Sequence, residues 1–113
     1  MDKTDIITIT QDMMRLGQYN SNPSLSAEDR ARLSGEYSFW TGILEDILQR
    51  KPKVWNEIRS KHKSDKACDK EFEATDDGIN EVVIRLKLKR IEKLISALST
   101  LIRLAEGQAR NQF

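Results

Sequence analysis

The sequence predicts an all-α protein, a small helical bundle with one long C-terminal helix that associates with further copies of itself. Three observations carry this expectation. Apolar residues recur at three- and four-residue spacing through most of the chain. The segment from Asp76 to about Arg110 keeps that spacing without a proline. It does so on two faces, whereas one apolar stripe is enough for a helix lying on a protein surface.

The 113 residues are expected to form a single helical domain. Residues 1–17 are the first helix. Ile7-Thr-Ile-Thr10 alternates like a strand, but Ile6, Ile7, Ile9, Met13, Met14 and Leu16 also suit a helix face. Thr4 is placed to cap its start, and Gly17 to end it in a left-handed turn. Gln18 to Ser24 reads as a polar loop. Residues 26–63 are the second helix, with Ser26 as its cap and a stripe of Leu33, Tyr37, Trp40, Leu44 and Ile47. Pro52 removes a backbone donor and disfavours helical geometry at Lys51, so a stop or kink is expected there. Residues 64–75 are a connecting helix or hinge, started by Ser64 and Asp65.

Residues 76–110 form the long helix. Ile84, Leu88, Ile91, Ile95, Leu98 and Ile102 make a seam with the repeat of a helix-helix contact, and are the expected oligomer interface. A second series, Ile79, Val83, Leu86, Leu94, Leu101 and Leu104, lies on a neighbouring face. At about 1.5 Å per residue the helix is on the order of 45 to 50 Å long, more than the shorter helices easily cover. Burying one leucine or isoleucine contributes roughly 1.5 to 3 kcal/mol, so several left in water would rival the stability of a small domain. Covering both stripes within one chain is the alternative.

Composition narrows the function classes. Apolar content is 38% and formal net charge is +1, so total charge decides nothing about nucleic acid. Cys68 is the only cysteine, which excludes an internal disulfide framework and a cysteine-built zinc site and fits a reducing compartment. Met1 to Thr10 lacks the apolar core and cleavage site of a signal peptide, and no stretch approaches the roughly 20 apolar residues that cross a bilayer. A cytoplasmic protein with no membrane partner is expected.

No motif for catalysis, cofactor or metal stands out. His62, the only histidine, lies within Arg59-Ser-Lys-His-Lys63 and reads as a solvated loop residue. Cys68 has no nucleophile motif around it. Asp76, Asp77 and Asn80 offer oxygens, but without calcium-loop spacing, and acids there favour the N-terminal end of the long helix dipole. The expectation is a protein that is not an enzyme.

Cations are more suggestive. Arg50, Lys51, Lys53, Arg59, Lys61, Lys63, Lys66 and Lys70 form a basic stretch around Trp55, and Arg85, Lys87, Lys89, Arg90 and Lys93 form another. Of these, Arg50, Lys51, Lys53, Trp55, Arg59, Lys61, Lys63, Lys66, Lys87 and Arg90 are the candidate nucleic-acid contacts, because cations track phosphates and an exposed aromatic can stack on unpaired bases. Against this, charged residues cover most helices, and Trp55 beside Val54 and Ile58 also fits a core.

With Arg85-Leu-Lys-Leu-Lys89, Glu92-Lys93, Ala97-Leu98 and Ala105-Glu106-Gly-Gln-Ala-Arg110-Asn-Gln112 in view, residues 85–112 resemble small helical proteins encoded in phage replication and recombination modules. The resemblance implies a non-enzymatic accessory to DNA transactions, acting on single strands or on a recombination protein, and supplies no site residues. Two function classes therefore stand. One is such an accessory, self-assembling through the long helix. The other is a protein-binding adaptor or inhibitor docking a partner on an apolar helix face, with Tyr37, Phe39, Trp40 and Trp55 as candidate anchors.

Overall fold

Four α-helices account for nearly all of residues 5–111, the part of the chain that the computed structural model describes, and no strand occurs among them. The all-α class and the long C-terminal helix are both present. None of the helices is long and apolar enough to cross a membrane among the described residues.

Helix α1 spans Ile6–Arg15. Asp5 caps it, its carboxylate accepting from the Ile7 N–H at 3.3 Å, so the cap is Asp5 and the expected Thr4 lies outside the described residues. Gly17 takes φ 67°, the left-handed conformation expected of it. Gln18–Ser21 then closes as a 3₁₀ turn where a loop was expected. Helix α2, Pro23–Arg59, begins earlier than the expected start at Ser26. Proline suits a first helical position, where the N–H would have no partner anyway. As a result Ser26 and Asp29 sit inside the first turns and are buried.

Helix α2 also runs through Pro52, against the expected stop or kink near Lys51, and ends at Arg59, short of residue 63. A proline in a helix forfeits one backbone hydrogen bond. Here tertiary contacts on the same stretch outweigh that loss. Lys51 pairs with Glu81 at 3.1 Å, while Val54 and Trp55 pack on the buried cluster Ile58, Cys68 and Phe72.

Helix α3, Asp65–Glu73, starts at the expected cap: Ser64 Oγ accepts from the Ala67 N–H at 3.2 Å. Helix α4, Asp76–Asn111, follows almost at once. Thr75 makes the corner. Its hydroxyl donates to the Phe72 carbonyl at 2.6 Å and accepts from the Gly78 N–H at 3.1 Å. Gly78 is required here, because a Cβ would fall on the Phe72 carbonyl and within 2.8 Å of Glu73 Cα.

The described chain groups into two compact units, one within Met1–Ser38 with Lys89–Phe113 and one within Phe39–Leu88. In the first, Ile6, Ile7, Leu33, Ile91, Leu94 and Leu98 are buried. A polar cluster accompanies them: Tyr19 donates to Asp29 Oδ2 at 2.7 Å, and both are buried with Thr10. Burial, then the Asp29 hydrogen bond, pushes the Tyr19 phenol up to about 12. In the second unit Leu44, Ile47 and Ile84 form one cluster, flanked by Trp40, Ile43 and Leu88, and Ile58, Cys68 and Phe72 form another.

The seam expected between copies is largely the chain's own interior face. Ile84, Ile91 and Leu98 are at most 4% exposed, and Leu88, Ile95 and Ile102 are half-buried. The stripe of α2 at Leu33, Leu44 and Ile47 is buried as well. That face of α4, together with Leu94 of the second series, is thus used within the chain.

Candidate functional site

Part of the second apolar series of α4 stands in water. In the unit Phe39–Leu88, Ile79, Val82, Val83 and Leu86 are 50 to 59% exposed. Their spacing puts them on adjacent turns of one side of the helix, away from Ile84 and Leu88. Val82 also lines a shallow cleft of about 400 Å³ with Lys51, Asp69, Phe72, Glu73, Gly78 and Glu81. Val82 belongs to neither apolar series of the sequence reading, since it interrupts the spacing of both; a helical wheel centred on Leu86 would have found it.

Charged groups occupy the other sides of this stretch of α4. Glu81 accepts from Lys51 Nζ at 3.1 Å and lies 3.6 Å from Arg85 Nε. Lys51 Nζ also sits 4.8 Å above the Phe72 ring. Asp76 and Arg85 are exposed. Asp77 is not a free acid: Arg50 donates to both its oxygens, from Nε at 3.2 Å and Nη2 at 3.0 Å. That bidentate bond holds the Asp77 carboxyl below its ordinary range and raises the Arg50 guanidinium.

The expected nucleic-acid residues fall into three groups. Arg50, Lys51 and Arg59 are engaged by acids, Arg59 with Asp65 at 2.9 Å. Lys87 lies 3.9 Å above the Trp40 ring. Lys53, Lys61, Lys63 and Lys66 are exposed and enter no ion pair among the described residues, and Arg90, in the other unit, is exposed too. Trp55 is half-buried against Ile58, Cys68 and Phe72, and its Nε1 donates to Asp69 at 3.0 Å. That is the environment of a core residue with a satisfied polar edge, not of an open stacking platform.

Of the expected protein-binding anchors, Trp40 is likewise half-buried on the Leu44 cluster. Tyr37 donates to Glu92 at 2.8 Å, which raises its phenol. Phe39 alone of the four is well exposed, its ring edge-on to Trp40 at 5.1 Å. His62 is half-buried with Nε2 at 3.0 Å from Glu71, so it is more tied than a solvated loop histidine. Among the described residues no group of three or more histidine, cysteine, aspartate or glutamate side chains is placed to hold a metal ion.

In the unit Met1–Ser38 with Lys89–Phe113, two neighbouring shallow grooves, about 390 and 430 Å³, share Tyr19, Asn20 and Leu101. Leu104, 58% exposed, lines the first. No protein-family model, curated protein or solved structure matches this chain.

Proposed function

We propose that the chain is a non-enzymatic protein-docking module, an adaptor or inhibitor whose contact surface is the outer face of α4 at Ile79, Val82, Val83 and Leu86. The observation that carries this reading is the exposure of four apolar side chains on successive turns of a helix whose opposite side is already occupied by its own core. Scattered exposed apolar residues are ordinary, whereas a contiguous group marks contact surfaces. Covering the exposed half of each side chain contributes roughly 1 kcal/mol, so a partner helix laid along the face gains several. A helix in a groove, anchored at i, i+3, i+4 and i+7, is a recurrent mode of recognition, and these four residues have that spacing.

The test places a photo-reactive amino acid at Val83 and, as a control, at the exposed Lys53. Irradiation in cells is expected to give protein adducts from position 83 well above those from position 53. Equal labelling at both positions would sink the reading.

A second reading, a DNA-transaction accessory, draws its support from Lys53, Lys61, Lys63 and Lys66, exposed cations outside the ion pairs that occupy Arg50, Lys51 and Arg59. It takes second place because Trp55, its proposed stacking residue, is committed to the core and to Asp69.

A further inference from the structure

We infer that the two neighbouring grooves of the unit Met1–Ser38 with Lys89–Phe113 form a binding site for a small uncharged amphiphile, an aliphatic chain whose hydroxyl, carbonyl or amide head meets Ser26. This site is separate from the outer face of α4 at Ile79, Val82, Val83 and Leu86 and does not depend on the docking reading.

A polar group without a partner marks the site. Ser26 lines the first groove and is only 1% exposed, yet its hydroxyl makes no hydrogen bond among the described residues. Ser34, two turns further along the same helix, shows the ordinary outcome: its Oγ donates to the Arg30 carbonyl at 3.1 Å. A buried hydroxyl left single costs free energy, and folded proteins settle such a group with a water or a bound molecule. The Tyr19 hydroxyl, on a residue of the same groove, is committed elsewhere, donating to Asp29 at 2.7 Å.

The lining sets the chemistry of the occupant. None of the residues lining either groove is charged, in a chain of which 33% is charged. An ionised head laid there would lose water without gaining a counter-charge. The grooves meet at Tyr19, Asn20 and Leu101, and their α4 walls run from Ala97 to Ala109, about 18 Å at 1.5 Å per residue. Each has the volume of a small-molecule site, about 390 and 430 Å³, with Leu101 and Leu104 as apolar wall. Ser26 belongs to the first groove alone, so the head lies there and the chain extends past Leu101 toward Met14 and Ala97 in the second.

Titration of the full chain with 1-octanol, octanoate and octylammonium, followed through methyl signals in NMR, tests the site. Octanol should shift Leu101, Leu104 and Ala105 and leave Val82 and Val83 in place, and the two ions should bind at least tenfold more weakly. Ser26→Ala removes a hydroxyl that bonds nothing in the fold, so it should melt no lower than the wild type and bind octanol about fivefold more weakly. Leu104→Arg, at a position 58% exposed, should keep its helical circular dichroism and reverse the order, octanoate above octanol. Octanol that fails to bind, or that shifts only Val82 and Val83, overturns the site. Octanoate binding the wild type as tightly as octanol overturns the uncharged occupant, and an octanol affinity unchanged by Ser26→Ala overturns the role of Ser26.

Discussion

Truncating one residue from each apolar face of α4 separates the face used inside the chain from the face left for a partner. Leu98 is fully buried and Leu86 is 59% exposed, on the same helix and with the same side chain. Leu98→Ala removes buried methyl and methylene groups and leaves a cavity, which costs about 2 to 5 kcal/mol. Leu86→Ala on a free surface costs no more than about 0.5 kcal/mol, less whatever alanine returns through helix propensity. The two variants should therefore differ by roughly 2 kcal/mol or more in urea unfolding of dilute protein followed by circular dichroism. Equal losses for both variants at high dilution would refute the assignment of inner and outer faces.

Other expected outcomes follow from particular side chains. Tyr19→Phe removes the buried bond to Asp29, leaving that carboxylate with Arg32 at 3.9 Å, and should cost about 1.5 to 3 kcal/mol in urea unfolding. Because folding raises the Tyr19 pKa from 10.0 to about 12, its contribution is complete below pH 10 and fades as pH rises toward 12. The gap between wild type and Tyr19→Phe should narrow over that window; a constant gap would show that Tyr19 is not the titrating group. Gly78→Ala should destabilise by about 1 to 3 kcal/mol through its clash with the Phe72 carbonyl, whereas Gly42→Ala, with open space at its Cβ, should stabilise by about 1 kcal/mol; thermal melts of the two report the contrast. For the DNA reading, a labelled single-stranded oligonucleotide at low salt should bind the wild type and lose at least tenfold affinity when Lys61, Lys63 and Lys66 become glutamates. Absence of binding by the wild type would end that reading.

The helices themselves were largely legible in the sequence, because their signals are local. Ser64 caps α3, Gly17 takes the left-handed turn, and the unbroken apolar spacing after Asp76 becomes α4. What the sequence concealed depends on pairs distant along the chain. Pro52 reads as a stop only until Lys51–Glu81 and Arg50–Asp77 are known, and those pairs span 30 and 27 residues. The same pairs remove Arg50 and Lys51 from the apparent basic patch. The two stripes of α4 look equally suited to a core, and only the position of α2's Leu44 and Ile47 against Ile84 decides which one is inward. Hence Ile84, Ile91 and Leu98 of the expected interface are inward, while of the second series Ile79, Val83, Leu86 and Leu104 are exposed and Leu94 is buried, and Val82 is off the spacing of both. Early helix entry at Pro23 was hidden for a different reason: Ser26-Ala-Glu-Asp29 is a good capping sequence, but Ser26 and Asp29 are buried within α2, where Asp29 is the partner of Tyr19.

Whether the outer face of α4 is a contact surface is most directly read by hydroxyl-radical footprinting of Ile79, Val82, Val83 and Leu86, in living cells and in dilute purified protein. Protection of all four in cells, with ready labelling in the dilute sample and no such difference at the exposed Leu16, is the predicted result. Equal labelling of the four residues in both settings would contradict it.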